Sequence, residues 1–242
     1  MMRLDKFLAD CGVGTRSEIK KLIRSGAVRV SGCSKPVPEL KIDENSAEVF
    51  VGGERIYYKK YIYLMLNKPT DYVSATWDKN KKVVLDLVPQ EYLHYKPFPV
   101  GRLDIDTVGL CVLTNDGGLA HKLLSPSHHI PKTYIATVDG MLGDYDIKAF
   151  AEGMDLGDFA SKPAKLTVLN SSGGESMAEV VIAEGKFHQI KRMFERVGKN
   201  VTYLKRTAMN KLTLDDSLEE GEIRELTKDE LELLTYGIEF NK

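Results

Sequence analysis

The chain has 242 residues, of which 43% are hydrophobic and 29% charged, the balance of an ordinary globular protein with room for a small domain and a medium one. No apolar run reaches about 18 residues, so no membrane span is expected. Three scattered cysteines, Cys11, Cys33 and Cys111, predict free thiols, no structural zinc and a cytoplasmic location. The net charge of −1 hides an asymmetry. Residues 1–35 hold eight Lys/Arg against three Asp/Glu, residues 185–211 eight against one, and residues 213–242 three against ten. Two basic segments offset by an acidic tail fit a polyanion-binding face, and equally fit clustering on solvated surfaces.

In chain order, the scatter of Arg3, Asp5, Lys6 and Asp10 is not a signal peptide. Leu4, Phe7, Leu8 and Cys11 give one apolar face of a short helix, closed by Gly12. Thr15-Arg16-Ser17-Glu18 is a capping box that starts a second helix with an Ile19, Leu22, Ile23 stripe. Its polar side carries Arg16, Lys20, Lys21 and Arg24, and Arg29 follows. Lys20 and Arg24, four apart, share a face and are spaced to grip successive phosphates. Short strands are expected at Ala27–Val30 and about residues 47–51.

A linker at residues 57–60 leads to the apolar strand 61–66, which ends at Asn67-Lys68-Pro69. Residues 76–82 read as a polar loop, with packing the expected role of Trp77. Gly101-Arg102-Leu103-Asp104-Ile105-Asp106-Thr107-Val108-Gly109-Leu110 places an arginine and two carboxylates in a glycine-bounded loop before a buried strand. A lone Arg-x-Asp would mean only a loop whose aspartates bond their own backbone. A short helix at 119–124 precedes His128-His129; adjacent residues of an extended chain point apart, so no metal is expected there. Lys132-Thr133-Tyr134 heads an alternating strand, and two further strands flank a turn at 171–174. Ile190, Met193, Phe194 and Val197 form the apolar stripe of a helix, with Lys191, Arg192 and Arg196 off it. A strand at 201–206, a loop at 207–212 and an acidic, solvent-facing helix from Lys228 complete the chain.

Residues 2–8, Thr15–Glu18 and 26–32 resemble the small RNA-binding domain called S4-like. The block from Gly101 to Leu110, together with Asn67-Lys68-Pro69, Lys132-Thr133-Tyr134 and His188-Gln189-Ile190-Lys191, resembles pseudouridine synthases, in the branch that modifies ribosomal RNA at single sites. That family usually has a glycine where this chain has Asp71, a difference of loop geometry that aspartate can absorb in left-handed backbone. The implied fold is α+β: an S4-like domain at residues 1–58, and a catalytic domain at 61–236 built on a large mixed, mainly antiparallel sheet flanked by helices.

The resemblance further implies isomerisation of uridine to pseudouridine in ribosomal RNA, 16S in preference to 23S, with the target flipped from its stack. Asp104 is the implied nucleophile. Tyr134 packs on the uracil, and Lys191 supplies a cation beside Asp104. Arg102 reaches the vacated space or the adjacent phosphate, while Asp106 orders the loop. Arg3, Arg16, Lys20, Lys21, Arg24, Arg29 and Arg192 are the expected RNA contacts. The reaction requires no cofactor, and the sequence has neither a Walker loop nor a dinucleotide-binding glycine signature. The expected partner is ribosomal RNA or an assembling subunit, met by a monomer with no membrane attachment. Two other readings are a non-catalytic RNA-binding assembly protein, which has no reason to keep Asp104, Tyr134 and Lys191 together, and a hydrolase using Asp104 and Asp106, for which metal ligands are missing.

Overall fold

The computed structural model describes residues 1–238, which divide into two compact units: Met1–Ile62 with Pro89–Lys96, and the remainder from Tyr63. In the first unit β1 (Met2–Arg3) runs into α1 (Leu4–Asp10), and α2 (Arg16–Arg24) follows. β2 (Val28–Val30), β4 (Val49–Val51) and β5 (Glu54–Ile56) form an antiparallel sheet, while β3 (Lys41–Ile42) pairs with β1. Leu4, Phe7 and Leu8 of α1 meet Ile19 and Ile23 of α2 over Val28 and Val49. The capping box forms: Thr15 accepts from the Glu18 N–H and Glu18 accepts from the Thr15 N–H. The segment around α3 (Gln90–Leu93) belongs to this unit although it is distant in sequence. A Cβ at Gly12 would stand 2.7 Å from the His94 ring, so the end of α1 fits this segment only as glycine.

In the second unit nine strands make one sheet, in the order β10-β11-β9-β12-β8-β6-β14. These are β6 (Tyr63–Lys68), β8 (Val108–Thr114), β9 (Lys132–Asp139), β10 (Lys165–Ser172), β11 (Glu175–Ile182), β12 (Val201–Met209) and β14 (Ile223–Glu225). The two short strands β7 (Phe98–Pro99) and β13 (Leu212–Thr213) pair with β8 and β12. Every pairing is antiparallel except β8 with β12, which is parallel over two residues, Val108 and Gly109 opposite Lys205 and Arg206. Gly109 holds φ +96, and a Cβ there would lie 2.3 Å from the Arg206 carbonyl. Only glycine lets these strands approach so closely. The sheet is mixed and mainly antiparallel, as expected of an α+β chain.

Leu119 and Leu123 of α4 (Gly117–Leu124) and Leu234 of α7 (Lys228–Leu234) pack with Met65, Leu110 and Val112 of the sheet. α5 (Asp144–Glu152) and α6 (Gln189–Arg196) meet through Phe150 and Phe194, whose ring centroids are 4.8 Å apart.

Three expectations change. Trp77 is not packed but 74% exposed, because residues 76–82 offer it no apolar neighbours. Residues 207–212 are not an open loop: β12 continues to Met209 and turns back through Asn210, at φ +56, into β13. The acidic helix α7 does not simply face solvent, since Leu234 is fully buried and Leu231 packs beside it. The charges on α7 lie away from these leucines, a separation that a charge count does not register. No helix among the described residues is long and apolar enough to cross a membrane.

Candidate active site

The loop between β7 and β8 is clamped from below by Lys68, the last residue of β6. Lys68 is fully buried, and its ammonium donates to the carbonyls of Pro69 (3.0 Å), Ile105 (3.2 Å) and Thr107 (2.9 Å). Burial pulls this lysine below its usual pKa, with Cys111, Asp106, Asp104 and Asp71 opposing that pull. Ser74 bridges Leu103 from the side, donating to its carbonyl and accepting from its N–H, both at 3.0 Å. Asp71 holds φ +65, the left-handed backbone a glycine would take, and from there its N–H reaches the Ile105 carbonyl at 2.9 Å. The Thr107 N–H closes a turn on the Asp104 carbonyl at 3.1 Å. The backbone of the loop that carries Asp104 is thus held by Lys68, Ser74 and its own turn, none of which uses the Asp104 carboxylate.

Both oxygens of Asp104 face basic groups. His188 Nε2 lies 3.6 Å from Oδ1 and Lys191 Nζ lies 3.7 Å from Oδ2. Asp106 is the nearer partner of Lys191, with Nζ 2.5 Å from its Oδ1. Burial pushes the Asp106 carboxyl up, but the hydrogen bond and charge of Lys191 outweigh it and hold the group below the usual carboxylate range. The single pairing of Lys191 with Asp104 implied by the resemblance is therefore a shared one, and Asp106 does more than order its loop. His188 reaches Asp104 because its own backbone is left-handed, φ +50, at the start of α6, and its ring stacks on the exposed Phe187 at 3.8 Å.

A pocket brings together Arg102, Asp104, Tyr134, His188 and Lys191, with Ile182 and Leu204 behind them. Tyr134 is buried on β9, where alternation turns Lys132, Tyr134, Ala136 and Val138 to one face. Arg192, one residue past Lys191, points elsewhere. It is bound to Asp158 and the Leu156 carbonyl and lies 4.8 Å over the Phe159 ring. Its charge is engaged within the protein, so the expected RNA contact finds no support. His188 and Lys68 both lie within the sequence motifs, but neither receives a role from sequence reasoning. For Lys68 a signal was present: a lysine closing an apolar strand beside a loop with two carboxylates.

In the first unit Arg16, Lys20, Lys21, Arg24 and Arg29 are all exposed. No ion pair involves the four on α2 among the described residues. Arg29 lies 4.6 Å over the Phe50 ring. Arg3 differs: it is held by Asp5 at 2.8 Å and Glu39 at 3.0 Å. Among the described residues no cluster of three or more His, Cys, Asp or Glu side chains is placed to hold a metal.

A mixed sheet with an acidic loop at the mouth of a tyrosine-lined pocket, in a chain whose first unit presents exposed basic side chains on a helix, fits an enzyme that acts on RNA. Residues 62–196 match the RNA pseudouridylate synthase model and residues 2–32 the S4 domain model. The chain belongs to the RNA pseudouridylate synthase family, enzymes that isomerise uridine. It is 45% identical over 236 residues to a Bacillus subtilis protein named as an uncharacterized RNA pseudouridine synthase, covering 96% of this chain and 98% of that one. It is 39% identical to ribosomal small subunit pseudouridine synthase A of Yersinia pestis, covering 95% and 97% of the two chains. A crystal structure of a pseudouridylate synthase superposes with a TM-score of 0.67 at 36% identity, over 97% of this chain and 100% of that one.

Proposed function

We propose that this enzyme converts uridine to pseudouridine at a defined position of small-subunit (16S) ribosomal RNA in the cytoplasm, with Asp104 as the nucleophile. The observation that carries the reading is the carboxylate of Asp104 at the pocket shared with Tyr134, flanked on its two oxygens by His188 and Lys191. The relatives named as small-subunit enzymes, matched over nearly the whole chain, favour that RNA. In the reaction the N1–C1′ bond breaks, uracil turns, C5–C1′ forms, C5 loses its proton and N1 gains one. Asp104 drives cleavage of the glycosidic bond. Tyr134 supplies the face on which the base lies while detached, and the two basic groups hold the carboxylate aimed. Arg102, exposed at the rim, occupies the gap left in the stack by the flipped nucleotide. The stripe Arg16, Lys20 and Arg24, with Lys21 and Arg29, grips RNA phosphates.

The test is tritium release from [5-³H]uridine-labelled 16S and 23S ribosomal RNA, assayed separately, with the modified uridine then mapped by carbodiimide adduct and primer extension. Release from 16S RNA at a single site is expected. Release from 23S RNA alone would overturn the choice of substrate, and release from neither would overturn the reading of the reaction on ribosomal RNA.

A further inference from the structure

Beside the Asp104 pocket lies a second cavity of about 400 Å³, which shares Arg102, Tyr134 and Lys186 with it and is lined in addition by Lys132, Lys162, Glu184 and Arg206. Two of these residues are unlike surface cations. Lys132 is 6% exposed and Arg206 2%. Tyr134 stands directly opposite Arg206 in the register of β9 and β12, and Lys132 precedes it by two on β9, so the three side chains share one face. Lys132 donates to the Ile130 carbonyl at 3.0 Å, its one hydrogen bond among the described residues. Arg206 donates from Nε to the Leu110 carbonyl at 2.7 Å, but its buried Nη2 has no partner.

Neither cation is paired with a counter-charge among the described residues. The charge felt by Lys132 is that of Arg206, which repels it. Glu184, the carboxylate of the cavity, accepts from the Lys162 N–H at 2.8 Å and from the Gln189 amide at 2.7 Å. Burying two like charges with spare donors and no paired anion opposes folding. Such an arrangement persists where a ligand brings the missing charge. A neutral base oxygen would satisfy a donor but leave both charges uncompensated, whereas a phosphodiester supplies a negative charge and two acceptors at once.

We propose that Lys132 and Arg206 form a binding site for one backbone phosphate of the RNA, that of a linkage adjoining the nucleotide held at Asp104. The site rests on the reading of Asp104 as the centre of uridine isomerisation and adds a subsite to it. Half-buried Lys162 and exposed Lys186 stand at the entrance and draw the strand in, while the buried pair sets its register. Fixing the phosphate beside Tyr134 locates the ribose to which it is joined, so the subsite acts on geometry as well as on affinity.

The experiment uses the full-length protein and the ribosomal RNA fragment containing the mapped uridine, with binding followed by fluorescence anisotropy between 50 and 200 mM KCl, roughly the range over which phosphate contacts are read. Lys132→Met should weaken binding about tenfold and lower the slope of log affinity against log salt by about one, and Lys132→Arg should restore both. Wild-type protein should lose affinity equally for RNA carrying a methylphosphonate at one of the two linkages flanking the uridine, an arm that needs no variant to fold. Unchanged affinity with both linkages neutral overturns the proposal. So does weakening by Lys132→Met with an unaltered salt slope, which would mark a packing or base-reading role. An Asp104→Asn variant that still forms pseudouridine, while the wild-type protein shows the phosphate effect, refutes the role of Asp104 proposed above and leaves this site standing.

Discussion

The two units carry basic side chains in opposite ways. In the first unit Arg16, Lys20, Lys21 and Arg24 stand in solvent without ion pairs among the described residues. In the second, Lys68, Lys132 and Arg206 are buried and Lys191 is drawn between two carboxylates. Exposed charges attract a polyanion over a distance set by salt and tolerate many orientations. Buried ones are screened less and are locked by the groups they bond, whose positions they fix to a fraction of an ångström. One unit is built for grip and the other for aim, and substitutions should separate the two.

The largest separation should come from Asp104→Asn, nearly isosteric but not nucleophilic. Turnover should fall by on the order of 10³-fold or more, while affinity for the RNA fragment stays within about twofold, well under the tenfold that 1.4 kcal/mol represents. Conversion at the wild-type rate in a single-turnover assay would remove Asp104 from the chemistry. Next in size is Lys68→Met. It strips three carbonyls of their donor and should cost about 3 kcal/mol in urea unfolding. The displaced loop should lower kcat about 10²-fold. A stable variant with normal kcat would mean that Ser74 and the backbone turn hold the loop unaided.

The third prediction concerns pH. Burial, with the charge of Arg206, pulls Lys132 from an ordinary lysine value of 10.5 to about 8. Between those two values the unfolded chain binds more protons at this residue than the folded one, so its contribution makes stability rise with pH across that window. Lys132→Met should be at least as stable as wild type at pH 7, and its advantage should shrink toward pH 10.5 in parallel thermal melts. A variant less stable than wild type at pH 7 would show that the buried amine stabilises the fold. Smallest should be Lys20→Ala with Arg24→Ala. KM should rise about tenfold and the salt slope fall by about two, with stability changed by no more than about 0.5 kcal/mol. An unchanged KM would remove the grip assigned to the first unit.

Much of the fold could be read from one dimension because its signals are periodic or local. The Leu4, Phe7, Leu8 stripe, the Thr15 capping box and the alternation after Lys132 each depend on neighbours in sequence. The grouping of Asp104, Tyr134 and Lys191 around one pocket was anticipated from motif resemblance, not from pattern. Partner choice was less legible. Whether Lys191 lies nearer Asp106 or Asp104 depends on how α6 meets the loop, and His188 enters only because one residue adopts left-handed backbone. The inclusion of Pro89–Lys96 in the first unit depends on a contact with Gly12 made across some eighty residues. Trp77 was misjudged since its size argues for burial while its polar surroundings decide otherwise.

The parallel seam between β8 and β12 has a consequence for how the site is measured out. On one side of it, β14, β6 and β8 form an antiparallel block that bears Asp104 in the loop leading into β8. On the other, β12, β9, β11 and β10 form a second block that bears Tyr134 and Lys132. Asp104 and Tyr134 therefore belong to separate halves, joined through two residue pairs. Their spacing is gauged by the hydrogen that Gly109 presents to the Arg206 carbonyl in place of a methyl group. A methyl there would act as a spacer, widening the pocket between Asp104 and Tyr134 while every residue lining it kept its identity.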